Sequence, residues 1–285
     1  MKSQKQYEKT FSFELFPPKT EAGMEKMQAN VNELATVNPL YFSVTYGAGG
    51  STQDRTFQSV AWLNAQNLDT APHLSCIGSS REEITEILQY YKDEGIHRVV
   101  ALRGDLPSGA GLGGLGELNF ANELVALIRE QFGDHFHIEV AAYPEFHPQA
   151  PSAETDLLNF KRKVEAGANA AITQYFYNPD AYYRFVDSCE KLGVDIPIVP
   201  GIMPITNYSN LARFSDACGA EIPRWIRKRL EGFGDDVESI RAFGADVVTS
   251  MCESLLQQGA PGLHFYTMNQ AAPSLRIWNN LGLSN

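Results

Sequence analysis

The chain has 285 residues, 44% hydrophobic and 20% charged, with a formal net charge of −11. That acidic balance speaks against a nucleic-acid partner, which needs a basic face to neutralise phosphates. No run approaches the roughly 18 apolar residues of a membrane span, and the polar opening MKSQKQYEKT lacks the apolar segment of a secretory leader, so the expected location is cytoplasmic.

Residues 1–10 read as a flexible polar start. Short β-rich runs then recur: Phe11–Phe16, Tyr41–Tyr46, Ala71–Ile77, Arg98–Arg103, His137–Tyr143, Ala170–Phe176, Pro197–Met203 and Gly262–Met268. Several are apolar nearly throughout, as suits parallel strands covered on both faces. Helical segments lie between them. Ser80 with Glu83 spells a capping box, and Asn178-Pro179 an N-cap followed by a first-turn proline. Gly95, Gly133, Gly167, Gly193 and Gly259 each stand a few residues before the next strand, where a helix C-cap takes positive φ. The long interval before the eighth strand holds helical stretches at Leu211–Ala217, Ile222–Leu230 and Val237–Gln257. No linker divides the chain. The expectation is one catalytic domain over 1–285, a (β/α)8 TIM barrel with extra helices between strands seven and eight. A doubly wound open sheet is the alternative. The four cysteines form no CxxC pair and read as free thiols.

Catalytic groups of such a barrel gather at the C-terminal ends of the strands, and reactive residues recur there. They are Glu14 in strand one, Thr45-Tyr46-Gly47-Ala48 after strand two, His73 in strand three and Arg103-Gly104-Asp105 after strand four. Tyr143 and His147 follow strand five, Gln174 ends strand six, Tyr208 follows strand seven, and His264 lies in strand eight. A carboxylate inside an apolar run is costly unless it has a task or a partner, so Glu14 points to function. His73 and His264, taken singly, read as satisfied core histidines. Tyr208 and Phe120 could be packing aromatics. The Gly104–Gly116 stretch has six glycines but no GK[ST], so it is no P-loop; it reads as a lid or a flexible connection. The basic cluster Asn159, Lys161, Arg162 and Lys163, with Asp156 nearby, is either a solvated face or a pyrophosphate and ribose site.

Only Lys19 lies near a strand end, which gives a Schiff-base aldolase poor support. No HExxH or GxSxG motif occurs. A metal-dependent barrel hydrolase or lyase, using His73, His147, His264 and a carboxylate, remains the alternative function. The mouth otherwise suits a flat heterocycle and a proton transfer, with a cofactor carrying the harder chemistry.

FSFELFPPKT, YFSVTYGAGGSTQDRT, APHLSCI, HRVVALRGDLP, AAYPEFHP, LLNFKRKVEAGANAAITQYFY, IPIVPGIMPITNY and LHFYTMN together resemble the methylenetetrahydrofolate reductase family, in its bacterial form with a single catalytic domain. The resemblance runs from about Phe11 to about Gly282 with the motifs in family order. It implies noncovalent FAD, a reduced nicotinamide (NADH rather than NADPH by preference), and reduction of 5,10-methylenetetrahydrofolate to 5-methyltetrahydrofolate, which feeds methionine synthesis. The two half-reactions would use one site in turn, in a homo-oligomer. Position by position, Glu14 matches the general acid, a task that asks for a protonated carboxyl near neutral pH. Asp105 matches the aspartate beside flavin and pterin. Thr45, Gln174, Tyr208 and Gln270 match substrate and nicotinamide contacts. Tyr46, Ala48, His73, Arg103, Gly104, Asp105, Phe120, Tyr143, His147, Asp156, Asn159, Arg162 and Lys163 match flavin contacts. Two positions depart: Tyr208 stands where Phe is common, and Asn269-Gln270 where Asn-Arg is common. A neutral glutamine cannot make the bidentate pair that arginine makes with a carboxylate, which leaves the folate's glutamate tail to Arg276 or a loop residue.

Overall fold

The structure is a computed structural model, and it describes residues 1–46, 50–104 and 116–283; side chains of 50–52 are left aside. Five strands open the order: β1 (Thr10–Leu15), β2 (Tyr41–Val44), β3 (Thr70–Ser75), β4 (Arg98–Leu102) and β5 (His137–Ala142). They are followed by β6 (Ala170–Thr173), β7 (Ile198–Val199), β8 (Gly201–Ile202) and β9 (Gly262–Tyr266). Every pairing is parallel, in the order β7-β6-β5-β4-β3-β2-β1-β9-β8. The first and last members of that order are consecutive pieces of one extended segment, 198–202. The expected seventh strand is therefore split at Pro200, and the (β/α)8 barrel closes through it.

The split has a local cause. Proline has no N–H to give the ladder, and the segment changes partner there. The Pro200 carbonyl accepts from the His264 N–H at 3.0 Å, on the β9 side. The next amide, Gly201, instead donates to Thr173 Oγ1 at 2.9 Å, on the β6 side. A Cβ at Gly201 would lie 2.1 Å from the Thr173 carbonyl and 2.6 Å from the Tyr266 ring. Only glycine lets the seam close this tightly.

Helices α1 (Glu21–Ala35), α2 (Gly50–Ala65), α3 (Arg81–Asp93), α4 (Ala121–Phe132), α5 (Ala153–Glu165) and α6 (Pro179–Lys191) alternate with the strands. The interval before β9 holds α7 (Tyr208–Cys218), α8 (Arg224–Phe233) and α9 (Val237–Gln258), and α10 (Ala271–Asn280) follows β9. Ser80 and Glu83 make the expected capping box, Asn178 caps α6 ahead of Pro179, and all five expected cap glycines have positive φ. Among the described residues no helix is long and apolar enough to cross a membrane.

Two cores result. The larger packs the outer faces of the strands against the helices, around Phe13, Phe42, Leu74, Ile138, Phe176 and Phe265. The smaller lies inside the ring: Tyr41, Ala71, Val100 and Ile172, with Leu102 and Tyr266 packed against it. Polar side chains share that interior with the smaller core, and from them the chemistry is built.

The polar start is packed rather than free. A 3-10 turn at Ser3–Gln6 buries Gln4 completely. Its side chain accepts from the Ile198 N–H at 2.7 Å and donates to the Ile196 carbonyl at 3.1 Å, capping the first residue of β7. Ser3 binds Glu190 through both N–H and hydroxyl, which pulls that carboxyl down to about 2. Polar composition concealed this, because the burial is satisfied by hydrogen bonds and not by apolar contact.

Candidate active site

Glu14 is the fifth residue of β1 and points into the ring near its C-terminal end, with 17% of its side chain exposed. Its backbone carbonyl accepts from Thr267 Oγ1 at 2.6 Å. Two residues further on, the Asn269 side chain clasps the Phe16 backbone, accepting from its N–H at 3.0 Å and donating to its carbonyl at 2.8 Å. The ends of β1 and β9 are thus tied together and the carboxyl is fixed. Its Oε2 lies 3.4 Å from His73 Nε2 and 3.5 Å from His264 Nε2. Among the described residues no lysine or arginine reaches Glu14. Burial holds the His73 pKa below its ordinary value, although Glu14 pulls the other way.

Three connected hollows open from this point. The innermost, about 140 Å³, lies among Glu14, His73, Tyr143, Gln174 and Tyr266. A second, about 400 Å³, adds His147, Tyr175, Met203, Phe214 and Met268. The third, about 360 Å³, runs past Tyr143 and His147 to Arg103, Gly104, Phe120, Asp156, Asn159 and Lys163. Tyr143 lines all three. Each of the two larger hollows has the size of a small-molecule pocket.

The third hollow carries polar anchors on rigid elements. Arg103 donates through Nε to the Asn119 carbonyl at 3.1 Å and through Nη1 to Gln149 Oε1 at 2.9 Å, and it stacks over Phe120. Asp156 Oδ2 accepts from the His147 N–H at 2.9 Å, and the Tyr143 and His147 rings meet edge to face. Lys163 donates to the Ala141 carbonyl, and burial lowers its pKa to about 8 against the opposing pull of Asp156. Gly104 has φ +85°, and a Cβ there would fall 1.8 Å from Ser75 Oγ. That position requires glycine, and it lets backbone line the hollow.

The expected residues divide accordingly. Glu14, His73, Gln174, Tyr143, His147, Arg103, Gly104, Phe120, Asp156, Asn159 and Lys163 come together. Gln174 folds its Oε1 back onto the Tyr175 N–H at 3.0 Å. Thr45 follows β2, with its N–H bonded to the Leu15 carbonyl at 2.9 Å. Tyr46 is half-buried toward α3, where burial and then Glu83 raise its pKa. Arg162 is exposed and donates to Asn159 at 2.8 Å. Ala48 and Asp105 lie outside the described residues, as does the interior of the glycine-rich stretch.

Two expected contacts lie elsewhere. Tyr208 directs its hydroxyl to Glu231 on α8 at 3.3 Å and lines none of the three hollows. From the same helix, Phe214, Ala217 and Cys218 face Glu14's hollow. Their i, i+3, i+4 spacing was the available signal; Tyr208, six positions earlier, falls about 120° off that face. Gln270 lines a separate hollow of about 330 Å³ with Lys26, Arg241 and Arg276. Tyr266 is a further residue of the site. Tyr266 roofs the seam, its hydroxyl donating to the Thr173 carbonyl at 2.7 Å. Among the described residues no group of three or more His, Cys, Asp or Glu is arranged to hold a metal ion.

The fold and this cleft define a class: a (β/α)8-barrel with a carboxyl acid set at the floor of a ligand-sized mouth. Comparison with known proteins makes the class specific. The family model of methylenetetrahydrofolate reductase matches residues 1–282. The 5,10-methylenetetrahydrofolate reductase of Pectobacterium carotovorum subsp. carotovorum is 42% identical over 95% of this chain and 90% of its own length. That of Escherichia coli K12 is 41% identical over the same shares. The chain belongs to the methylenetetrahydrofolate reductase family. A plant relative, methylenetetrahydrofolate reductase (NADH) 1 of Arabidopsis thaliana, is 40% identical over 96% of this chain and 48% of its own. The fold is shared with a Clostridium thermocellum protein that binds two copies of 5-methyl-5,6,7,8-tetrahydrofolic acid (TM-score 0.69, 16% identity, 99% of this chain and 96% of the other).

Proposed function

We propose that this chain reduces 5,10-methylenetetrahydrofolate to 5-methyltetrahydrofolate, taking electrons from a reduced nicotinamide through noncovalent FAD. The observation that carries this reading is the place of Glu14, a part-buried carboxyl at the floor of the cleft to which, among the described residues, no lysine or arginine is paired. The alternative of a metal-dependent hydrolase finds no support in the family match or in the side-chain arrangement among the described residues.

The residues present fit a flavin dinucleotide. Gly104 lets backbone line the arm, Lys163 and Arg103 offer positive charge, and Asp156 offers an acceptor for ribose hydroxyls. Tyr143 and His147 stand between this arm and the Glu14 chamber, where they would hold the junction of the two. Bound there, FAD supplies two-electron chemistry that no side chain provides.

The chain's own contribution is protonation and positioning. Glu14 donates its proton to a ring nitrogen of the folate as the five-membered ring opens to a cationic iminium. Asp105, by its resemblance, places a negative charge beside that cation. Gln174 offers amide contacts to whichever partner occupies the chamber, and Tyr266, Tyr175 and Phe214 supply flat walls for a heterocycle. One chamber of this size suits the two substrates in turn. The Arabidopsis relative's name favours NADH as donor. The product is a methyl carrier of the kind used for methionine.

The purified protein should be yellow. Anaerobic NADH should bleach it and methylenetetrahydrofolate should restore the colour. A colourless protein that binds no added FAD would overturn the proposal.

A further inference from the structure

One hollow has no part in the chemistry so far. It measures about 330 Å³ and lies where the segments after β8 and β9 meet α1, α9 and α10. Its charged lining is wholly cationic: Lys26 from α1, Arg241 from α9 and Arg276 from α10, with no aspartate or glutamate among its described lining residues. Among the described residues the ion-paired lysines and arginines are Arg81, Arg98, Lys161 and Lys228, so none of these three cations has a carboxylate partner. The first turn of α10 also opens here through Ala271, Ala272 and Pro273, and its N-cap, Gln270, gives it no side-chain hydrogen bond. A helix N-terminus carries partial positive charge. In a chain of net charge −11, three cations and a helix N-terminus gathered without a counter-charge repel one another, and an anionic ligand relieves that repulsion.

The hollow adjoins the Glu14 chamber. Met203 lines the chamber and Pro204, the next residue, lines the hollow; Met268 lines the chamber and Gln270 the hollow. Two residues of chain span at most about 7 Å, so the two cavities share a rim. 5,10-Methylenetetrahydrofolate carries a pteridine at one end and a glutamate at the other, and each further glutamate joined through a γ-carboxyl adds one carboxylate. We propose that this hollow holds the γ-linked glutamates beyond the first. With the heterocycle in the Glu14 chamber, the tail leaves over Met203 and Met268, passes Gln270 and sets its carboxylates against Arg241, Arg276 and Lys26. This rests on the proposed reductase function and narrows its substrate class to oligoglutamyl folates. The two guanidinium groups can pair with carboxylates bidentately, and the lysine adds a point charge. Ile205 and Ile277 give the methylenes of the tail an apolar wall. All three cationic residues are exposed, so salt weakens the attraction.

The test compares two folates that differ only in the tail. By calorimetry on the FAD-loaded protein, 5-methyltetrahydrofolate triglutamate should bind about tenfold more tightly than the monoglutamate, the sum of two or three exposed ion pairs. That ratio should shrink as salt is raised from about 0.01 M to about 1 M. Arg241→Gln and Arg276→Gln should each cut the ratio about threefold, and Arg241→Glu combined with Arg276→Glu should bring it below one. These side chains lie on the surface, where substitution costs little stability, and melting curves check that the variants fold. The same ratios should appear in the KM for anaerobic recolouring by the methylene forms of the two folates. A wild-type ratio near one, or a ratio that survives the double charge reversal, would overturn the proposal. So would a KM for NADH that rises in the double variant while the ratio stands, because the hollow would then serve the dinucleotide. If NADH bleaches the wild type but neither folate recolours it, the functional reading itself fails, and the calorimetric ratio still decides the hollow.

Discussion

Glu14 and Glu139 are the same residue in nearly the same setting, each a lone acid inside an apolar strand that faces the barrel interior, and they come to opposite ends. Glu139 is third in β5, close to the N-terminal face. Its Oε1 takes Arg98 at 2.6 Å and has His137 at 3.5 Å, with only 3% of the side chain exposed. Burial alone would raise its pKa, but His137 and Arg98 outweigh that and hold it below the usual carboxylate range. Glu14, fifth in β1, meets two histidines and open space. A carboxylate beside a permanent cation is a fixed charge; one beside neutral rings can give and regain a proton. Position along the strand therefore separates structure from chemistry, as expected of a fold whose loops carry the active site at one face only.

Substitution can break that comparison. The largest effect is expected at the mouth: Glu14→Gln should cut steady-state turnover by about 10²- to 10⁴-fold, the range of a lost general acid, with little change in melting temperature. At the floor the outcomes exchange. Glu139→Gln leaves Arg98 uncompensated and should cost about 3 kcal/mol of stability, read by denaturant unfolding, while the ratio of the two half-reaction rates stays as in the wild type. The pH dependence has a definite sign. Glu139 is depressed in the folded state, so its contribution is present above the ordinary carboxylate pKa and lost as pH falls through the folded value. The wild type should lose stability on acidification more steeply than the variant.

The proposed flavin arm sharpens the same contrast, because its part-buried cation, Lys163, would serve a ligand. Lys163→Met should weaken FAD binding about tenfold at pH 7, the worth of one charge-assisted hydrogen bond. The free lysine titrates at about 8, and a bound anion raises that value. Its contribution is therefore complete below about 8 and fades above it, so the affinities of variant and wild type should converge in alkaline titrations. The smallest effect is expected at Tyr208→Phe. Its hydroxyl donates to the exposed Glu231, and turnover and stability should change by less than about 0.5 kcal/mol.

Much of this was legible beforehand. Strand after strand was marked by an apolar run and a cap glycine, and those signals are local. The motif residues around Glu14, Tyr143 and Lys163 converged because strand ends in a parallel barrel must share one rim. What escaped depended on longer-range geometry. The break at Pro200 arises from ring closure and not from the sequence of that strand alone. The face that α7 turns to the mouth depends on how the inserted helices pack, so the sequence alone does not show that Phe214 and not Tyr208 lines it. Glu139 drew no notice, because its partner Arg98 lies on another strand. His264 read as a core histidine, and only coordinates reveal which carboxyl its ring faces.

The most direct test is to follow both half-reactions anaerobically in Glu14→Gln with Glu139→Gln beside it. The account predicts that NADH still bleaches Glu14→Gln while methylenetetrahydrofolate fails to recolour it, and that Glu139→Gln completes both. Equal loss of bleaching and recolouring in Glu14→Gln, or normal recolouring, would contradict it.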